Sequence, residues 1–163
     1  MHDTRAELSK DHQELEQLLR RLSDDSSAPE PAALLTTWCE FETRLLAHMD
    51  AEERYLLPLL DASHPADTAR TRAEHARIRQ LVSELGVAIE LHAARKPAIV
   101  ELITALRDHA EAEERSLYPL GSERASTLLR HQISAALSAA ARFAIGARTG
   151  RVAGGATKPP GLP

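Results

Sequence analysis

Two stretches of this chain are near-copies of one another: HMDAEERYLLP at residues 48–58 and HAEAEERSLYP at residues 109–119. Both read H-x-x-x-E-E-R-x-L-x-P. A weaker pair precedes each of them, Asp11-His12-Gln13-Glu14-Leu15 and Glu74-His75-Ala76-Arg77-Ile78. His12 and His75 are 63 residues apart, and His48 and His109 are 61 apart. Two nearly equal offsets mark a duplicated unit, so the chain must fold as two similar halves packed together. Each half has to place its copy of the motif in an equivalent setting.

The pattern around the motifs is helical. Apolar residues recur at three- and four-residue steps in five segments, with no sustained alternation. The first spans about 4–22, with Leu8, Leu15, Leu19 and Leu22 on one face. The second spans about 32–60, with Trp38, Phe41, Leu45, Leu56 and Leu59. The third spans about 68–92, with Ile78, Val82, Leu85 and Ile89. The fourth runs from Pro97 to about Tyr118, with Ile99, Leu102, Leu106 and Leu117. Prolines at 29, 31 and 97 suit helix starts. Four such helices with short breaks predict an all-α, antiparallel up-down four-helix bundle over residues 1–120. Gly121-Ser122 punctuates the chain, with Ser122 a candidate N-cap. An additional C-terminal helix is expected over 121–146, with Leu128, Leu129, Ile133, Leu137, Ala140 and Ala144, followed by a disordered Gly/Pro-rich tail over 147–163.

Composition narrows the function. Only 3% of the 163 residues are aromatic, which disfavours an aromatic-cored β-sandwich, and Ala and Leu favour helix. A net charge of −4 argues against a nucleic-acid surface. No stretch is apolar enough to span a membrane, the start MHDTRAELSK lacks the apolar core of a signal peptide, and Cys39 is the lone cysteine. These readings give the expectation of a cytoplasmic protein.

The eight histidines carry the chemical argument. Four residues advance a helix by about 400°, so His48 and Glu52 lie about 40° apart on one face. Leu45, Tyr55 and Leu59 share that face and mark it as interior. His109 and Glu113 share a face with Leu102, Leu106 and Leu117. His12 falls in the stripe Leu8–Leu15–Leu19, and His75 in Ile78–Val82–Leu85. Each helix thus turns one histidine inward, and two add a glutamate. Unpartnered, these groups would be costly to bury. They either satisfy one another as a polar core or hold metal. Imidazole with carboxylate suits iron, manganese or zinc. Six side chains exceed the four ligands of a structural zinc, which makes a dinuclear centre the economical arrangement.

The order of a lone His, HxxxE, a lone His and HxxxE resembles the hemerythrin / HHE cation-binding family over about residues 5–120. The resemblance implies a non-haem di-iron centre with an oxo or hydroxo bridge. His12, His48, His75 and His109 would be terminal ligands, and Glu52 and Glu113 bridges. Oxygen-carrying members usually place two histidines four apart on the third helix, whereas Thr71 and Arg79 flank His75 at that spacing here. The resemblance therefore implies a more open four-His, two-Glu site. It shifts the expected ligand from reversibly stored O2 toward peroxide or nitric oxide.

Tyr55, seven residues after His48, is the candidate catalytic residue: lying behind the ligands, it would hydrogen-bond a bound oxygen species and make the halves unequal, because Ser116 stands at its place in the other copy. The alternative for Tyr55 is core packing. Glu16 forms a further HxxxE with His12, but Arg79 occupies the equivalent position in the repeat. Glu53 and Glu114 lie about 100° from the candidate ligands and are expected either to face solvent or to pair with Arg54 and Arg115, with a role as extra ligand the lesser alternative. Arg79 either attracts an anion to the site or snorkels to the surface. His2, His64, His92 and His131 are assigned surface roles, and Cys39 a buried, unreactive one.

The leading functional expectation is a hemerythrin-like di-iron protein binding O2, H2O2 or NO, with a catalase-like or NO-detoxifying version. A non-enzymatic sensor or iron-storage module is the alternative, and a purely structural bundle the third. The C-terminal helix either covers one side of the bundle or forms a homodimer.

Overall fold

A computed structural model describes residues 4–25 and 31–154. Among them the architecture is all-α. Helices α1 (Thr4–Asp25), α2 (Pro31–Ala51), α3 (Pro65–Glu90) and α4 (Lys96–Ala112) form the antiparallel bundle. Helix α1 packs on α2 and α4, and α3 on α2 and α4, closing a four-membered ring of neighbours. Prolines open α2 and α3 and sit in the first turn of α4, where their missing N–H costs nothing.

The two H-x-x-x-E-E-R-x-L-x-P copies depart from regular helix in the same way. Glu52–Leu56 and Glu113–Leu117 are each one π-helical turn. Leu57 N–H bonds the Glu52 carbonyl, and Tyr118 N–H bonds that of Glu113. The prolines explain both turns. Pro58 and Pro119 can give no hydrogen bond to the carbonyls of Arg54 and Arg115, and their rings crowd those oxygens. The ladder widens by one residue to relieve the crowding. A 3-10 turn, Leu57–Leu59, follows the first π turn, and a short α5, Tyr118–Arg124, follows the second.

The C-terminal helix differs from expectation at both ends. It is α6, Thr127–Gly154. Its N-cap is Ser126, whose Oγ accepts the Leu129 N–H at 3.3 Å, whereas Ser122 lies inside α5. The helix continues past Gly146, which has open space around it and is exposed, so that nothing steric breaks the helix there. Residues 155–163 of the expected tail, and His2, lie outside the described residues. Helix α6 covers α2 and α1, burying Ile133, Leu137 and Ala144.

Two apolar clusters fill the interior. One holds Leu15, Leu18, Phe41, Met49, Ile78 and Leu102. The other holds Leu8, Leu56, Leu57, Leu60, Leu117 and Ile133. Each fully buried Leu of this kind contributes about 1.5–3 kcal/mol. On α1, Leu8 belongs to the second cluster and Leu15 to the first, with His12 between them. The polar side chains form a layer between two apolar ones.

Candidate metal centre

The bundle brings all six inward residues of the repeat together. His12, His48, Glu52 and Glu113 each offer one ligand atom, and these atoms lie within 4.8 Å of one another. Glu52, His75, His109 and Glu113 form a second such group. The two glutamates are common to both, and their oxygens divide between them. His48 Nε2 lies 3.4 Å from Glu52 Oε1, and His12 Nε2 3.4 Å from Glu113 Oε2. On the other side His75 Nε2 lies 3.3 Å from Glu52 Oε2, and His109 Nε2 3.3 Å from Glu113 Oε1. Each tetrad is made of two imidazoles and one oxygen from each carboxylate.

The opposite imidazole nitrogens are held by a ring of carboxylates. Asp11 on α1 accepts from His48 Nδ1 of α2 at 2.9 Å. Glu53, in the π turn after α2, contacts His75 Nδ1 of α3 at 2.8 Å. Glu74 on α3 contacts His109 Nδ1 of α4 at 2.9 Å, and Glu114 beyond α4 contacts His12 Nδ1 of α1 at 3.2 Å. The ring closes on itself. Its origin is elementary: each of these acids is the immediate neighbour of an inward residue, about 100° around the helix, where the seam with the next helix lies. Asp11 and Glu74 precede their inward neighbour, and Glu53 and Glu114 follow theirs. Adjacent helices run antiparallel, so preceding on one and following on the next both point the same way round the bundle. Carboxylate–histidine pairs of this kind fix the imidazole tautomer and raise its basicity toward a metal.

This corrects one expectation: Glu53 and Glu114 are partly exposed, but each also reaches an imidazole. Arg79 is partly exposed and donates to Glu53 at 2.7 Å and to Asp50 at 2.8 Å. Arg44 likewise anchors Asp11 at 2.7 Å and contacts Glu14. Glu16 stays outside both tetrads and pairs with Arg20 and Arg107.

Tyr55 is half-buried, packs against the Leu8–Leu56–Leu57 cluster, and makes no hydrogen bond to the tetrads. The phenol at the site is Tyr118. Its hydroxyl lies 2.9 Å from His12 Nε2, 3.2 Å from His48 Nε2, 2.6 Å from Glu52 Oε1 and 3.1 Å from Glu113 Oε2. In a regular helix Tyr118 would point about 180° away from His109. The π turn sets it back by about 100° and swings it inward. The signal available in the sequence was its place in the repeat, where the other copy has Leu57.

The electrostatics follow from burial and pairing. Burial opposes charge on His48, but Glu52 and Asp11 outweigh it and hold the imidazole well above its ordinary range. For His75 burial is again overcome, here by Glu113 and Glu52, and its pKa is pushed up to about 10. Burial works against the Glu52 carboxylate, yet His48 and His75 hold it well below the usual range. Burial and the Glu113 and Glu52 carboxylates push the Tyr118 hydroxyl up, so it stays protonated in the metal-free protein.

Within the two tetrads, two buried carboxylate oxygens have no hydrogen-bond partner: Glu52 Oε2 and Glu113 Oε1, both on the second tetrad. His75 Nε2 lies close to each, at 3.3 Å and 3.7 Å, but is not aligned to donate. Unpaired anionic oxygens facing two imidazole nitrogens are a donor set that a divalent or trivalent cation completes. A cavity of about 300 Å³ reaches the site between α1, α2 and α4. His12, His48 and His109 are at its inner end, and Leu15, Leu45 and Leu106 are among its walls.

A helical bundle whose core gathers four histidines and two shared glutamates is a metal-binding protein of the hemerythrin-like class. The hemerythrin HHE cation binding domain matches residues 3–121, and the chain belongs to that family. No curated protein and no solved structure matches it.

Proposed function

We infer that this protein is a non-haem di-iron protein, with Glu52 and Glu113 bridging two ions and two histidines completing each side. The observation that carries this reading is the division of each glutamate's oxygens between the tetrads. When bound, iron supplies reversible one-electron redox chemistry and positions open to a small ligand. The chain's own residues do the rest. The carboxylate ring orients four imidazoles so that each presents Nε2 inward. The bridging carboxylates keep the ions together through a change of charge. Leu15, Leu45 and Leu106 make part of the approach apolar, which suits small uncharged ligands such as O2, H2O2 or NO.

Peroxide or nitric oxide consumption is the function this geometry supports best. Helix α6 belongs to the same unit and covers its α1–α2 side; a homodimer through α6 would use the exposed Leu128 and Phe143. The test is oxygen release from H2O2, and loss of NO, by iron-loaded protein compared with Leu106→Trp. That substitution narrows the cavity, and its expected effect is slower turnover at unchanged iron content. Equal rates would remove the cavity as the approach, and no turnover of either compound would remove the enzyme reading.

A sensor reading draws on one observation. Asp11, which holds His48, shares a surface groove with Arg44 and with Ser134 and Leu137 of α6. Metal-dependent hydrogen exchange in α6 without turnover would favour it.

A further inference from the structure

We propose that Tyr118 is itself a metal ligand, its phenolate oxygen entering the coordination shell of the His12–His48 side and leaving the His75–His109 side without a counterpart. This rests on the metal-binding reading above. A side chain that only steadies a ligand approaches one ligand atom, or two. The Tyr118 oxygen instead lies 2.6–3.2 Å from one donor atom of every member of the tetrad. Its ring is fully buried, and all the partners of its hydroxyl belong to the tetrad. The hydroxyl stands where an ion drawing those four donors to about 2.0–2.2 Å would lie, so such an ion displaces it by about one bond length and meets its oxygen as the next donor.

The asymmetry is built into the chain. At the corresponding position of the first copy stands Leu57, fully buried and apolar. The two tetrad carboxylate oxygens without a partner are accordingly both on the side that lacks a phenol. Ligation breaks the phenol O–H bond and forms an oxygen–iron bond, with the proton leaving to solvent through the cavity beside His12. A phenolate donor favours the ferric state, so the two ions should differ in ease of oxidation.

The experiment uses the full-length protein loaded with ferrous iron, oxidised in air, and assayed for iron per chain. The expected result is a broad visible phenolate-to-ferric charge-transfer band, with resonance Raman ring modes that shift on ring-deuterated tyrosine. Tyr55→Phe, which removes the other tyrosine, should keep the band. Tyr118→Phe should lose it while retaining iron on the His75–His109 side. Iron-loaded wild type without deuterium-sensitive ring modes would overturn the proposal, as would a Tyr118→Phe protein that keeps the band. Should Tyr118→Phe not fold, the labelled wild type with Tyr55→Phe decides alone. Failure to bind any iron would sink the metal reading itself, whereas iron without phenolate modes sinks only this ligand.

Discussion

Removing Glu53 should weaken metal binding far more than removing Glu114, although the two stand at the same position of the repeat. His75 is fully buried, and its Nδ1 meets Glu53 at 2.8 Å, with Glu53 itself anchored by Arg79 at 2.7 Å. Glu53→Ala leaves the ring nitrogen of a fully buried imidazole without its partner, and water can approach it only from the 33% exposed side that Glu53 filled. The loss of such a carboxylate typically costs about 10–100-fold in metal affinity, or roughly 1.4–2.7 kcal/mol. His12 is 10% exposed, and Glu114 is 42% exposed at a longer 3.2 Å. Water can take over there, and the expected loss for Glu114→Ala is about threefold or less. Arg79 keeps Asp50 in the first variant, so no buried cation is stranded to confuse the comparison. Competition for Fe(II) or Zn(II) against a chromophoric chelator, at fixed pH and salt, measures both. Wild-type affinity in Glu53→Ala would refute the carboxylate ring as a determinant of binding, and equal losses in the two variants would refute the difference in burial as what weights its members.

Metal loading near pH 7 should release protons, because His48 and His75 are held charged in the metal-free protein and must lose a proton to bind. About two or more protons per chain are expected in a weakly buffered indicator titration. The same shift gives the metal-free protein the opposite pH dependence. The raised pKa of His75 contributes stability that is fully present below its ordinary 6.5 and is lost as the pH rises through about 10, which denaturant titrations across that window would show. Gly121→Ala should destabilise the fold by about 1–3 kcal/mol, since the added Cβ would overlap the buried Leu56 side chain beneath α5. An unchanged denaturation midpoint would show that Leu56 has room to move.

The six inward residues were legible because apolar neighbours at helical spacing define which face is interior. That reasoning holds as long as the helix stays regular. It failed beyond Glu52 and Glu113, where Pro58 and Pro119 force an extra residue into the turn. Tyr55 therefore joined an apolar cluster, and Tyr118, outward-facing on an ideal helix, reached the site. The carboxylate ring was legible in principle from Asp11-His12, Glu52-Glu53, Glu74-His75 and Glu113-Glu114. Seeing it requires the alternation of helix direction, which no single segment reveals. The extent of α6 was hidden by Gly146, which weakens a helix by only about 1 kcal/mol and cannot end one by itself.

The central claim is that Glu52 and Glu113 each serve two ions at once. Iron analysis joined to Mössbauer spectroscopy on the reconstituted protein tests it most directly. About two irons per chain with antiferromagnetic coupling are expected, and Glu113→Ala should lose the coupling. One iron per chain, or two magnetically isolated ions, would contradict the shared-carboxylate centre.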